Sequence, residues 1–208
     1  MPVVPPLKPE EAPESTQKIY DRIAETIGGG SVPLGYQMMG HVEPFLQDSY
    51  MNDRKFIKDG AGSLDPRQRE AIVIATSSAM NCVHCVKAHV KEAVESETFT
   101  EQEVREILAV TATCAMYNTY YKFKDLVDDE QFKSYQVGLR AHTFQKTSLD
   151  DVMVELINIV VSNINGCLMC TSGHVKKAMA LGLSADDVDE AIKISATMAA
   201  FNTFHRTQ

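Results

Sequence analysis

Apolar residues recur along most of the chain at helical spacing, and few stretches alternate in twos as a strand does. Asp65-Pro66 is an N-cap followed by the residue best suited to the first helical position. From there Ile72, Ala75, Ala79 and Met80 fall on one face, which predicts a helix with one buried side. A second helix opens at Cys82-x-x-Cys85 and runs to about Glu95. A third begins at Thr100, with Glu103 completing a capping box, and continues through Val104, Ile107, Leu108 and Thr111. The same order then returns. Ser148, with Asp151 three residues on, predicts a capped helix. Another opens at Cys167-x-x-Cys170 and ends near Leu181, where Gly182 stops it. The last starts at Ser184 with Asp187 and carries Val188, Ile192 and Ser195.

The return is a repeat. A shift of 85 positions places Glu70 on Glu155, Cys82 on Cys167, Cys85 on Cys170 and His89 on His174. With one residue deleted from the connection, Val104 falls on Val188, Ala112 on Ala196 and Asn118-Thr119 on Asn202-Thr203. The predicted organisation has four parts. Residues 1–60 form a Pro-rich tail (Pro2–Pro13), an amphipathic segment Thr16–Ile27, a breaker Gly28–Pro33 and further helical extension. Residues 61–127 are the first repeat, 128–147 a polar linker helix, and 148–208 the second repeat. The fold class is all-α, with the two repeats related by a pseudo-twofold axis.

Charge narrows the function. Lys and Arg number 20 against 28 Asp and Glu, a net of −8, and the basic residues are scattered. Such a chain lacks the cationic face that neutralises phosphates, so nucleic-acid binding is not expected. No apolar run approaches the ~18 residues a membrane span needs, and the N-terminus has neither a basic nor an apolar leader region. A cytoplasmic location follows as the expectation. In that compartment five cysteines do not read as a structural disulfide framework.

Cysteines three apart on a helix share a face, and modest closure at the first turn brings them to disulfide geometry. The helix N-terminus also stabilises a thiolate. The spacing predicts disulfides within each pair, Cys82–Cys85 and Cys167–Cys170. His89 and His174 lie one turn beyond Cys85 and Cys170, within reach of those thiols. Glu70 and Glu155 sit on the preceding antiparallel helix. A carboxylate reaching the histidine would orient its ring, but spacing alone leaves that open. Zinc is the competing reading, since two cysteines and a histidine also suit it. Three ligands on one helix, however, leave closure of a tetrahedron to another element. His84 faces Met169 in the repeat register, so it is not required at both sites; proton relay and bystander both stand. Gly166 and the small residues Thr171, Ser172 and Gly173 predict a roomier, less charged second pocket. Cys114, matched by Met198, reads as a small core hydrophobe. Tyr117, Tyr120, Tyr121, Phe201 and Phe204 read as core or interface aromatics, and His41, His142 and His205 as surface or satisfied residues.

The stretches Met80–Val94 and Asn163–Ile192 resemble the carboxymuconolactone decarboxylase superfamily, specifically its alkyl hydroperoxidase D-like branch. The resemblance covers most of Pro66–Tyr121 and Leu149–Phe204. It implies an all-helical oligomer in which Glu, two Cys and His form a proton relay for thiol peroxidase and disulfide reductase activity. Glu70, Cys82, His84, Cys85 and His89 match the full relay. Glu155, Cys167, Cys170 and His174 match it with Met169 in place of the intervening histidine. Decarboxylating members lack this cysteine pair. The expectation is a metal-free, cofactor-free thiol peroxidase acting on hydrogen peroxide or organic hydroperoxides. Cys85 and Cys170 are its nucleophiles, and an external dithiol, from a lipoyl-bearing or peroxiredoxin-type partner, is its reductant. A disulfide reductase serving a partner peroxidase and a redox-sensing helical protein are the alternatives.

Overall fold

The computed structural model of the chain describes residues 3–127 and 129–206. Met1, Pro2, Asp128, Thr207 and Gln208 lie outside them, and with them the first residue of the expected linker and of the Pro-rich tail. Among the described residues there is no strand. The main helices are α1 (Glu14–Thr26), α2 (Leu34–Met39), α3 (Glu43–Asn52), α4 (Pro66–Ala79), α5 (Val83–Glu95), α6 (Glu101–Val127), α7 (Glu130–Lys133), α8 (Asp151–Ile164), α9 (Leu168–Ala180) and α10 (Ala185–His205). A single π-helical turn, Asp53–Lys58, continues α3.

The first helix of each repeat is more deeply buried than one apolar face predicts. In α4 the whole run Ala71–Ser77 is buried, and in α8 the whole run Met153–Ser162. A helix apolar all round has no solvent face to present, so it belongs at the centre of a core. α4 and α8 pack on each other there, and Leu156→Ala or Ile157→Ala removes side chains with no exposure, at a cost of about 2–5 kcal/mol.

The third helices cross over. α10 of the second repeat packs on α4 of the first, and α6 of the first on α8 of the second. Polar contacts fix the exchange. Thr76 donates to Ser195 Oγ at 3.0 Å, and Asn118 Nδ2 donates to Ser162 Oγ at 2.9 Å. Glu190 on α10 accepts from the backbone N–H groups of Gly62 (2.9 Å) and Leu64 (3.1 Å), just ahead of α4. Glu106, its counterpart on α6, accepts from the N–H and hydroxyl of Ser148 (2.8 and 2.6 Å) and the hydroxyl of Thr147 (2.8 Å), just ahead of α8. Each repeat is thus completed by the other.

The hydrogen bonds from Ser148, with Gln102 and Thr147 behind them, hold the Glu106 carboxyl down to about 2. A depressed folded-state value adds stability above the unfolded value, about 4.3, and that stability is lost as pH falls toward 2. Glu106→Gln is expected to lower unfolding stability by about 1–2 kcal/mol at pH 7 and to flatten the acid limb between pH 5 and 2. Urea titrations at several pH values measure both; an unchanged acid limb removes Glu106 from the crossover.

Two local expectations are corrected. Ser148 does not cap α8, because Glu106 engages it; Asp150 takes that place, its side chain accepting from Met153 N at 2.8 Å. The connection is not a helix. Among its described residues it holds only the four-residue α7 and one 3₁₀ turn, His142–Phe144. Side chains of α6 capture its carbonyls instead: Tyr117 donates to Leu139 O (2.7 Å), Tyr120 to Gln136 O (3.4 Å) and Lys124 to Tyr135 O (2.6 Å). Carbonyls bound from outside do not need helical partners.

A smaller core under α1–α3, centred on Tyr20, Ile23, Met39 and Leu46, rests against Phe201 and Phe204 of α10. It brings the N-terminal elements over the first cysteine pair.

Candidate functional site

Each cysteine pair sits where a tight corner meets a helix start. The residue ahead of the first cysteine is left-handed in both repeats: Asn81 at φ 58° and Gly166 at φ 65°. Asn and Gly tolerate that conformation, which turns the chain back antiparallel within two residues. Cys82 and Cys167 then occupy the N-caps of α5 and α9, and each sulfur accepts from the backbone N–H of the second cysteine at 3.4 Å. The sulfurs therefore lie in the positive field of the helix terminus. Both pairs are disulfides within the motif, with Cα separations of 5.3 Å. The first cysteine is sealed in each case, whereas Cys85 keeps 5% and Cys170 8% of its surface. Peptide mapping of oxidised protein is expected to find these two links; a dominant Cys85–Cys170 link would contradict the separate sites.

The carboxylates reach the histidines at both sites, which spacing left open. His89 Nδ1 lies 3.1 Å from Glu70 Oε1, and His174 Nδ1 lies 2.6 Å from Glu155 Oε2. With Nδ1 engaged, the ring is oriented and Nε2 is the nitrogen left for other chemistry. Each carboxylate also has a lysine in its field, from different elements. Lys177 on α9 stands 3.8 Å from Glu155. In the repeat register that position is Glu92, and Glu92 instead pairs at 2.8 Å with Lys58 of the π turn, whose charge also acts on Glu70.

The two sites differ in what covers them. A cavity of about 290 Å³ opens on Cys85. Its polar lining includes Asp53, Lys58, His84, His89, Glu92 and His205; Leu34, Ala88, Met198 and Phe201 are among its apolar lining. At the second site Phe144, from the linker, packs edge-on against His174 with ring centroids 6.4 Å apart. A cavity of the same size, about 290 Å³, lies beside Glu155 at the second site, with Phe144, Val154 and Lys177 in its lining, but of these two cavities it is the first that a cysteine lines. The reason is tertiary: the N-terminal helices and α10 build the first cavity, and neither lies within the first motif.

Sequence reasoning missed several residues here. His205 is buried, at 4% exposure, and its Nδ1 has no hydrogen-bond partner among the described residues, so it is neither at the surface nor satisfied there. Its ring lies 5.6 Å from that of His84, and burial holds its pKa down to about 4, with the neighbouring His84 acting in the same direction. Tyr36 and Asp53 meet in the cavity, the tyrosine hydroxyl donating to Asp53 Oδ2. No spacing pointed to them; the signal available was the uninterrupted polar run Asp53-Arg54-Lys55 inside a helical segment. Cys114 is buried as expected, and burial pushes its thiol up to about 11. His41 and His142 stay exposed. Among the described residues no group of three or more His, Cys, Asp or Glu side chains is placed to hold a metal ion, and no helix is long and apolar enough to cross a membrane.

Residues 46–122 and 130–206 each match the Carboxymuconolactone decarboxylase family. The alkyl hydroperoxide reductase AhpD of Anaeromyxobacter sp. (strain K) is 34% identical over 140 residues, 67% of this chain and 74% of the relative. That of Coxiella burnetii (strain RSA 493) is 26% identical over 155 residues, 74% of this chain and 86% of the relative. In fold, the chain is similar to a peroxidase-related protein with an alkylhydroperoxidase AhpD core from Ralstonia eutropha JMP134, with a TM-score of 0.63 at 15% identity, over 96% of this chain and 85% of that one.

Proposed function

Because this chain belongs to the carboxymuconolactone decarboxylase family, and its relatives at 26–34% identity are alkyl hydroperoxide reductases AhpD, we propose that it is a thiol-dependent peroxidase with a relay in each repeat. The observation that carries this reading is the Glu–His bond found twice beside a redox-competent cysteine pair. Glu70 and Glu155 fix the imidazoles of His89 and His174, and the free ring nitrogen takes the proton of Cys85 or Cys170. Of each pair, the second cysteine is the nucleophile, since it alone keeps accessible surface.

The thiolate attacks the outer oxygen of the hydroperoxide, the O–O bond breaks, and the sulfur becomes a sulfenic acid while an alcohol or water leaves. Cys82 or Cys167 then displaces hydroxide, which departs as water, and the observed disulfide is the product. A dithiol of a lipoyl-bearing or peroxiredoxin-type partner restores both thiols by exchange. Val83 and Leu168, the first helical residue after each N-cap cysteine, are 65% and 77% exposed. Apolar side chains held out beside a disulfide favour a second reading, in which the protein chiefly reduces a disulfide on a docked partner.

Peroxide consumption measured with a panel of dithiol donors tests the proposal. Sustained turnover with one hydroperoxide and one dithiol is expected. Turnover appearing only when a separate peroxidase is added would replace the proposal with the reductase reading, and no turnover in either format would leave only redox sensing.

A further inference from the structure

We propose that Asp53, held by Tyr36, is the proton donor to the leaving oxygen when the first site reduces an organic hydroperoxide; this rests on the peroxidase reading. Both side chains line the cavity that Cys85 opens on. They come from α2 and the π turn, elements outside the cysteine motif, and in the 85-residue register Asp53 falls on Gly138. The second site therefore has no carboxyl at this register.

Asp53 is a buried carboxyl, 7% exposed, and Tyr36 is as deeply buried. The charged groups that act on Asp53 are Lys58, His89 and Glu92, and the Tyr36 hydroxyl donates to it. Burial raises its pKa, the Tyr36 hydrogen bond, Lys58 and His89 oppose the rise, and the net direction is upward. Burial likewise raises Tyr36, which stays a donor. The upward direction at Asp53 favours its protonated carboxyl, the form with a proton to give. π-helical turns are uncommon and concentrate at functional sites, and this one places both Asp53 and Lys58 at the cavity.

The step balances. His89 holds the proton taken from the Cys85 thiol. The thiolate forms an S–O bond to the outer oxygen of R–O–OH, the O–O bond breaks, and sulfur is oxidised by two electrons as the peroxide is reduced. The other oxygen departs as RO⁻ and takes the Asp53 proton to become ROH, leaving Asp53 ionised beside Lys58 and His89. An alkoxide is about as basic as hydroxide, whose conjugate acid has a pKa of about 15.7, so its departure gains most from a proton. The apolar walls given by Leu34, Ala88, Met198 and Phe201 accommodate R.

The test uses the full chain with Cys170→Ser, which leaves the first pair alone. Oxidation of Cys85 is followed by stopped flow with tert-butyl hydroperoxide and with peracetic acid. The second oxidant releases a carboxylate whose conjugate acid has a pKa near 4, which needs no donor. Asp53→Asn is expected to slow the alkyl hydroperoxide about 10²-fold and to leave the peracid within about twofold. Equal slowing of both oxidants makes Asp53 a scaffold residue and overturns the proposal, as does no slowing of either. The ratio of the two rates against pH needs no change at Asp53: it is expected to fall as Asp53 ionises. Tyr36→Phe removes the hydroxyl that favours the carboxylate, so the midpoint of that fall moves to higher pH; an unmoved midpoint assigns the proton to another group. If the Cys170→Ser parent reacts with neither oxidant faster than free cysteine, the peroxidase reading itself fails, a result distinct from all of these.

Discussion

Cys85→Ser combined with Cys170→Ser is expected to abolish peroxide turnover, leaving helical content and unfolding stability close to those of the parent. The loss should exceed about 10³-fold, because no thiol with a paired histidine remains and Cys114 is sealed in the core with its thiol pushed up to about 11. The two single variants each leave one site alive and report on the difference between them. Cys170→Ser keeps the pair beside His84, the cavity and Asp53; Cys85→Ser keeps the pair where Met169 replaces His84 and Phe144 rests on His174. The first site is expected to be the faster by about 10² with an organic hydroperoxide. Equal rates would make His84 and the cavity bystanders, and the relay would end at His89. Residual turnover in the double variant would move the chemistry away from the cysteine pairs.

Removing the imidazoles is the second large effect. In His89→Ala the Cys85 thiol loses the group that accepts its proton, and in His174→Ala the Cys170 thiol does. Each variant is expected to lower turnover at its own site by about 10²–10⁴ at neutral pH and to move the midpoint of pH-dependent alkylation of its cysteine upward. Glu70→Gln and Glu155→Gln should produce a smaller loss in the same direction, since an amide still accepts the bond but no longer stabilises an imidazolium. The Glu155 variant carries a further change: Lys177, 3.8 Å away, loses its ion pair. Rates of alkylation by iodoacetamide, resolved by peptide, separate the four cysteines. Unchanged profiles in both histidine variants would take histidine out of the mechanism.

The repeated part of the molecule was legible because its chemistry is local. The N-cap at Asp65, the capping boxes at Thr100 and Ser184, the N-cap cysteines and the one-turn spacing to His89 and His174 all depend on residues within about one turn or corner of each other. The two misread segments failed through long-range competition. Glu106 binds Ser148 from a distance of 42 residues along the chain, so the cap shifts to Asp150; Tyr117 and Lys124 hold linker carbonyls from α6. The exchange of α6 and α10 between repeats is equally invisible to periodicity, since an apolar face does not say which partner it meets. The same exchange explains the residues missed at the site. His205 and Phe201 arrive from the second repeat, and Tyr36 and Asp53 from the N-terminal extension, to make a cavity whose motif lies in the first repeat. Motif spacing locates the sulfur and its relay; only tertiary packing says what surrounds them.

A single-turnover product balance addresses the peroxidase assignment most directly. Fully reduced Cys170→Ser protein is mixed with one equivalent of an organic hydroperoxide, and alcohol and protein-bound sulfur species are quantified together. One alcohol formed per Cys82–Cys85 disulfide, at a rate far above that of free cysteine, is the expected result. Disulfide without alcohol, alcohol without disulfide, or a rate no greater than that of free cysteine would contradict a thiol peroxidase at this site.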